Sequence, residues 1–175
     1  MRIVGVGGNA GAGKDTLADV LVEKYGFTKL AFADSLKEMC SKVFELPLNY
    51  FYDREIKDSD FLVPLEFNEE HVEAIVDYCK EFGVDIKDVK TQTISELYLG
   101  KSLNSPREVM QFIGTEVCRD NIDPNIWITI IKNTINKNPN KSYVVSDCRL
   151  PNERKLIKEL EGYMTLVKRP NLARS

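Results

Sequence analysis

Residues 2–16 read RIVGVGGNAGAGKDT. The β-branched residues Ile3, Val4 and Val6 at the start of this stretch favour a β-strand. A glycine-rich segment follows, and apolar residues at helical spacing begin with Leu17. The order strand, glycine-rich loop, helix is typical of a turn that binds an anion at a helix N-terminus.

The loop matches the pattern G-x-x-x-x-G-K through Gly8, Gly13 and Lys14. Backbone N–H groups of such a loop surround a phosphate chain, and the lysine reaches its outer phosphates. The alternative is a glycine-rich turn with a solvated lysine, which requires strand, spacing and lysine to coincide by chance. The pattern therefore predicts a nucleoside triphosphate site formed by Gly8, Gly11, Ala12, Gly13, Lys14, Asp15 and Thr16.

Two carboxylates are candidates for holding Mg²⁺. Asp15 stands where phosphate loops usually carry a Ser or Thr hydroxyl; it either holds the metal through water or stabilises the helix start through its charge. Asp147 follows the apolar run Tyr143–Val145, the usual place of a second metal-holding Asp. Its alternative role is that of a turn former before the next helix.

The composition excludes several classes of function. A net charge of -3 and a pI near 5.4 argue against a nucleic-acid partner held by a general basic surface. A single histidine excludes a histidine-based triad, and the four separated cysteines indicate reduced core thiols. No apolar run approaches the ~20 residues of a membrane span. We expect a cytoplasmic protein without a membrane partner, and a homodimer stays open.

The periodicity predicts an α/β fold of the P-loop NTPase-like, three-layer kind, with a parallel sheet between helices. It is predicted as a single domain over 1–175, with a mostly helical, acceptor-binding lobe inserted at about 46–104. Residues 49–60 and 83–104 show no clear pattern. Strands are predicted near residues 3–6, 28–32, 143–145 and 163–167, and helices over 14–25, 33–46, 69–82, 105–119, from 123 onward and over 152–160.

The helix predicted from Ser105 carries a row of polar residues. Ser105 suits the N-cap, Pro106 the first helical position and Glu108 the capping box. Four polar side chains then follow one another at a spacing of four residues, and the alternative is an ordinary solvated helix face. They are Arg107, Gln111, Thr115 and Arg119.

Phosphoryl transfer to a phosphate acceptor suits this set of residues. The chain offers no separate nucleophile or base, and a monophosphate with its second pKa near ~6 needs none. The reaction needs cations that hold two polyanions together. Lys14, Asp34, Asp147 and Arg149 follow predicted strand ends, where ligands gather in such sheets. The available arginines are Arg54, Arg107, Arg119, Arg149 and Arg169.

Further segments stand beside the phosphate loop in a distinctive combination. The segments are residues 8–16, Lys37, Asp53–Glu55, Arg107, Met110–Gln111, Gly114–Glu116, Trp127, Asp147–Arg149, Asn152–Glu153 and Arg169–Pro170. Taken together, these residues resemble the phage-type deoxynucleoside monophosphate kinases of the P-loop kinase superfamily, and the resemblance spans residues 1 to about 170.

The resemblance implies ATP and Mg²⁺ as cofactors and a deoxynucleoside monophosphate as acceptor. Lys14 and the loop amides would bind ATP, and Arg149 would lie near the transferred phosphoryl group. Asp147, as the candidate holder of Mg²⁺, joins Lys14 and Arg149 as a candidate catalytic residue. The acceptor's phosphate would be held by Lys37, Arg54, Arg107 and Arg119, and its base or sugar would face Gln111 and Trp127. Asp34 and Thr115 complete the expected acceptor site, and core packing is the alternative for Trp127. A phage-encoded enzyme would work in the host cytoplasm.

Two other functions stay open. The G-K-D-T phosphate loop is shared with other small-molecule kinases, including phosphomevalonate kinase, so a different phosphorylated metabolite is an alternative acceptor. Asp15 in place of a hydroxyl residue also leaves open a nucleotide-binding module without turnover.

Overall fold

A computed structural model describes residues 1–171, which form six strands and nine α-helices. The strands are β1 (Ile3–Gly7), β2 (Thr28–Leu30), β3 (Leu65–Glu66), β4 (Ser102–Leu103), β5 (Tyr143–Val145) and β6 (Tyr163–Leu166). The helices are α1 (Lys14–Tyr25), α2 (Phe32–Phe44), α3 (Asn49–Tyr52), α4 (Arg54–Lys57), α5 (Glu69–Glu81), α6 (Asp88–Tyr98), α7 (Pro106–Gln111), α8 (Ile126–Lys137) and α9 (Pro151–Glu159). A π-helical segment, Phe112–Arg119, continues α7.

The chain divides into two units, and the first contains the main sheet. This unit combines Met1–Asp34 with Ile131–Ser175, whereas Ser35–Ile130 forms the second. Its four strands lie in the order β2-β5-β1-β6, and every pairing is parallel. β1 lies between β5 and β6, and it is apolar because its side chains are mostly buried. The predicted parallel sheet is confirmed.

Helices pack on both faces of that sheet. Successive residues of a strand point to opposite faces, and Val6 packs with Ala18 of α1 and with Val144. On the other face Gly5 lies so close to α9 that an added Cβ would come within 2.8 Å of Ile157. The two contacts place α1 and α9 on opposite sides of β1. The predicted three-layer arrangement is therefore confirmed.

The second unit is mostly helical and contains an aromatic core. Phe67 and Tyr98 both meet the ring of Phe112 edge-on, with centroids 5.0 and 5.2 Å away. His71 stacks on Phe67 and closes a capping box with Asn68 at the start of α5. The short strands β3 and β4 pair antiparallel.

Several predicted boundaries need correction. β2 ends at Leu30 rather than residue 32, because α2 begins at Phe32, and α8 begins at Ile126 rather than at Asp123. The unassigned stretch 83–104 contains α6 and β4, and 49–60 contains the one-turn helices α3 and α4. Asp53 explains α4, since its side chain accepts hydrogen bonds from the N–H groups of Glu55 and Ile56.

The predicted helix over 105–119 is confirmed in extent, but its second half is π-helical rather than α-helical. The α-helical pattern ends at Gln111, and residues 112–119 form wider π-helical turns. Ser105 caps the start as predicted, accepting from the N–H of Glu108 at 3.2 Å. The Glu108 carboxylate, however, accepts from the backbone N–H of Asn104, so the predicted reciprocal bond to Ser105 is replaced by one to its neighbour.

Two further expectations concern the whole described chain. All four cysteines are free and buried, as predicted for core thiols. Within residues 1–171 no helix has the length and apolar character needed to cross a membrane. The lobe boundaries 46–104 and its acceptor-binding role stay predictions.

Candidate active site

The glycine-rich loop between β1 and α1 takes backbone conformations that favour glycine. Gly8, Gly11 and Gly13 have φ values of +144°, +73° and +102°, which side chains rarely adopt. At Gly8 an added Cβ would also come within 2.4 Å of the carbonyl oxygen of Val167. The loop thus has the tightly turned backbone that its glycines permit.

Lys14 begins α1 and folds its side chain back along this loop. Its ammonium group donates to the carbonyl oxygens of Gly8 at 2.6 Å and Asn9 at 3.0 Å. Gly13 at the N-cap provides no side chain, and in the described chain no side chain caps the helix start. The first N–H groups of α1 therefore have no side-chain acceptor among the described residues, and they can donate hydrogen bonds to an anion bound at the loop.

A cavity of about 230 Å³ adjoins the loop within the first unit. The end of β6 and the residues after it form its other wall. It is lined by Gly8, Asn9, Ala12, Leu166, Val167, Lys168 and Arg169. Two cationic side chains and the loop backbone make this cavity suited to an anionic or polar ligand.

Asp15, the first candidate metal ligand, lies in an ion pair. Its carboxylate is 3.1 Å from the ammonium of Lys29, which also contacts Asp19 at 3.0 Å. Burial lowers the pKa of Lys29, but the hydrogen bonds to Asp19 and Asp15 outweigh it and raise that pKa overall. The Asp15 side chain is 80% exposed. A metal ion at Asp15 would have to share this carboxylate with Lys29.

Asp147, the second candidate, caps the start of α2. Its two carboxylate oxygens accept from the N–H groups of Phe32 at 2.9 Å and Ala33 at 3.0 Å. Burial raises the pKa of Asp147, although the two backbone hydrogen bonds oppose this change. A carboxylate has about four acceptor positions, so these bonds leave room for a metal or water. The turn-former alternative gains support, and the metal role stays a prediction.

Arg149 lies in a loop that a buried carboxylate holds in place. Glu153, with 6% of its surface exposed, accepts from the backbone N–H groups of Arg149 at 2.7 Å and Leu150 at 2.8 Å. The Arg149 side chain itself is exposed. Sequence analysis did not give Glu153 this role. Pro151 followed by an acidic residue two positions later is the signal that could have revealed it.

In the second unit, the predicted polar row lies along α7 and the π-helical segment. In an α-helix, four residues rotate about 40° further around the axis than one full turn. In the wider π-helix, four residues rotate by less than one full turn. The two deviations offset each other along Arg107, Gln111, Thr115 and Arg119. All four remain at least partly exposed, while Phe112, Ile113 and Gly114 between them are buried.

The other predicted acceptor residues differ in their surroundings. Lys37 lies over the ring of Tyr52, 4.2 Å from its centroid, and Arg54 is exposed at the start of α4. Asp34 is partly exposed in the first turn of α2. Trp127 is buried, with 4% of its surface exposed, and its indole N–H lies 3.4 Å from the carbonyl oxygen of Gly114. This burial favours the core-packing alternative for Trp127.

A known protein family matches most of this chain. The family model described as deoxynucleotide monophosphate kinase matches residues 65–175. The chain belongs to the deoxynucleotide monophosphate kinase family. The matched segment contains Arg107, Gln111, Thr115, Arg119, Trp127, Asp147 and Arg149.

Two viral relatives resemble this kinase family member over most of its length. A protein of Acanthamoeba polyphaga mimivirus, provisionally named deoxynucleotide monophosphate kinase, is 30% identical over 185 residues, covering 99% of this chain and 77% of the relative. The deoxynucleoside-5'-monophosphate kinase of Escherichia phage T5 is 26% identical over 182 residues, covering 90% of this chain and 72% of that protein.

The residues present fit a kinase that uses Mg²⁺. Within the described chain no three His, Cys, Asp or Glu side chains could together hold a metal ion. Mg²⁺ in kinase sites is usually held by one or two carboxylates together with water and substrate phosphates. Asp15, and Asp147 with its remaining acceptor positions, match that kind of donor set.

Proposed function

We propose that this kinase transfers the γ-phosphoryl group of MgATP to the phosphate of a deoxynucleoside 5′-monophosphate. The position of Lys14 carries the proposal, since its ammonium lies within a glycine-rich loop at the start of α1. Family membership supports the acceptor class. Small-molecule substrates follow from that membership, whereas ATP and Mg²⁺ are inferred from the loop.

The phosphate loop is the proposed donor site. Gly8, Gly11, Ala12 and Gly13 would surround the phosphates with backbone N–H groups, together with those of Asp15 and Thr16. Lys14 would exchange its contacts with Gly8 and Asn9 for the β- and γ-phosphates. The cavity lined by Lys168 and Arg169 supports a binding site for the polar part of ATP that extends beyond the loop.

Two carboxylates would hold the metal, directly or through water: Asp15 and Asp147. When bound, Mg²⁺ would supply positive charge that offsets the negative charge on the transferred group. Asp147 additionally holds the backbone N–H groups of Phe32 and Ala33 within the first unit.

The polar row of the second unit supports an acceptor site. Arg107 and Arg119 would hold the acceptor's phosphate together with Arg54 and Lys37, because guanidinium groups bind phosphate in bidentate fashion. Gln111, Thr115 and Asp34 would face its sugar or base. Trp127 is buried, so its predicted stacking on the acceptor has the weakest support of this set.

The reaction needs little from the protein beyond positioning and charge. At neutral pH the acceptor's phosphate oxygen is already anionic and attacks the γ-phosphorus as the bond to the leaving ADP breaks. Lys14 and Arg149 would stabilise the charge on the transferred group. The location in the cytoplasm and the homodimer remain predictions.

An ADP-release assay tests the proposal. The protein is given MgATP with each of the four common deoxynucleoside monophosphates, their ribose counterparts, phosphomevalonate or no acceptor. We expect ADP only with a deoxynucleotide, and its formation by the Lys14→Ala variant should be at least about a hundred-fold slower. ADP formation with phosphomevalonate alone would contradict the acceptor class, and ATP binding without turnover on any acceptor would contradict catalysis.

A further inference from the structure

An ion pair in the second unit connects two helices near the polar row. The Nε group of Arg107, on α7, donates a hydrogen bond to Oδ1 of Asp58, the residue that follows α4. The two residues are 49 positions apart in the chain, so tertiary structure brings them together. We propose that Asp58 is a positioning residue that aims Arg107 at the acceptor's phosphate. This inference rests on the proposed function.

The atoms that take part determine what Arg107 can still bind. A guanidinium has five N–H donors, and Nε supplies only one of them. The described structure gives Arg107 no hydrogen bond other than that to Asp58. The Nη groups, whose spacing matches two phosphate oxygens, are therefore available while Nε is held.

The charges around Asp58 favour the same role. The hydrogen bond from Arg107 lowers the pKa of Asp58, and the charges of Arg107, Lys57 and Arg54 add to this effect against the opposing effect of burial. Asp58 is thus an anion among three cations, two of which, Arg54 and Arg107, are proposed phosphate ligands. Its charge reduces the repulsion between those arginines before an acceptor binds.

Holding Arg107 matters because the side chain is otherwise free to move. Its exposed fraction is 58%, and that of Asp58 is 45%. Ordering a flexible arginine costs conformational entropy at the moment a ligand binds. A preformed contact reduces this cost. Exposed ion pairs contribute little to folding stability, so we infer an effect of Asp58 on acceptor binding rather than on stability.

Steady-state kinetics with paired variants test this inference. The variants are Asp58→Ala, Asp58→Asn, Arg107→Ala and the double variant with both alanines. We expect Asp58→Ala to raise the acceptor KM about three- to five-fold, the size that a partly exposed charge pair allows, with kcat and the KM for ATP unchanged. Asp58→Asn keeps an acceptor oxygen for Nε and should recover part of the loss.

The double variant separates positioning from an independent effect. If Asp58 acts through Arg107, its removal changes nothing further once Arg107 is alanine. The matched control is Glu81→Ala, because Glu81 pairs with Lys42 at 3.4 Å on the exposed surface of the same unit. Its acceptor KM should equal that of the wild type.

The measurements distinguish a failure of the positioning role of Asp58 from a failure of the proposed function. An unchanged or lowered acceptor KM in Asp58→Ala, or an equal effect of Asp58→Ala with and without Arg107, overturns the positioning role alone. An equal rise in KM from Glu81→Ala overturns it too, because any surface charge would then serve. A wild-type protein that turns over no deoxynucleotide overturns the proposed function, and the role of Asp58 falls with it.

Discussion

The ammonium group of Lys14 donates a 2.6 Å hydrogen bond to the carbonyl oxygen of Gly8. This contact holds the flexible Lys14 side chain at the glycine-rich loop, which is the proposed binding site of the donor's phosphates. We expect Lys14→Ala to lower kcat by about 10²- to 10³-fold, as is typical when one donor to the transferring charge is lost. ADP formation under saturating acceptor measures the change. Lys24→Ala, in the exposed last turn of the same helix, is the control and should keep wild-type turnover.

Gly8→Ala should disturb the loop more than a comparable glycine substitution elsewhere. Its φ of +144° and the 2.4 Å approach of the Val167 oxygen leave no room for a methyl group. We expect ATP binding, measured by calorimetry, to be lost. Gly26→Ala provides the comparison, since Gly26 has a φ of +69° but open space around its Cβ position. It should cost about 1 kcal/mol of stability and leave ATP binding intact; equal effects of both would contradict the steric argument.

Replacing each candidate metal ligand separately distinguishes Asp15 from Asp147. We expect Asp147→Asn to raise the Mg²⁺ concentration for half-maximal turnover about ten-fold, and Asp15→Asn to have a smaller effect because Lys29 already engages that carboxylate. Turnover is measured across a Mg²⁺ titration. A larger effect from Asp15→Asn would assign the metal to the loop instead. Thermal unfolding of both variants controls for the loss of capping bonds at Phe32 and Ala33.

The stability of the protein should fall below about pH 6.5 through its one histidine. The Nδ1 atom of His71 accepts from the N–H of Asn68 at 3.1 Å, and its ring lies 4.4 Å from that of Phe44. Burial lowers the pKa of His71, against the opposing charges of Glu70 and Glu45. The folded state therefore holds fewer protons than the unfolded state in this window, so the free energy of unfolding decreases as the pH falls.

His71→Gln tests that relationship, because glutamine can keep the capping bond but does not titrate. Urea unfolding of both proteins at pH 7.5, 6.5 and 5.5 gives the comparison. We expect the wild type to lose more stability than the variant over this range. Parallel curves would show that other groups cause the pH dependence.

Trp127→Phe separates the two roles considered for that side chain. Because Trp127 is buried with 4% of its surface exposed, we expect the smaller phenylalanine to leave a void and to lower the free energy of unfolding by about 1–3 kcal/mol. The acceptor KM, measured below the unfolding temperature of the variant, should not change. A clear rise in that KM would restore the predicted stacking on the acceptor.

The sequence predicted what depends on neighbouring residues. The sequence predicted β1, the loop and α1, and it predicted both ends of α1 at the correct residue. The apolar strand residues, the loop glycines and Gly26 are all signals within this one stretch of sequence. β5 was predicted with the same bounds because a strand buried on both faces is a continuous apolar run in the sequence. By contrast, α6 was missed, and its only buried residue is Ile94, which leaves little apolar periodicity to detect.

Features that depend on distant partners could not be predicted. The π-helical segment packs Gly114 so closely against Leu36 that an added Cβ would lie 2.9 Å from its Cδ2, and nothing local to residues 112–119 specifies that neighbour. The role of Asp58 likewise could not be predicted from its neighbours in sequence, because it depends on the contact with Arg107. Burial of Trp127 depends on the packing of its whole helix. The candidate site was thus predicted by residue type, whereas its internal contacts required tertiary structure.

The pairing of β1 has a consequence for the order in which the protein assembles during synthesis. Ile3 pairs with Tyr143 and Val4 with Tyr163, so β1 leaves the ribosome well before either of the strands it pairs with. Ser35–Ile130, in contrast, is one uninterrupted segment and can complete its own core while the chain is still growing. Until β5 and β6 emerge, β1 exposes two unpaired edges, and the nascent chain is then most vulnerable to aggregation.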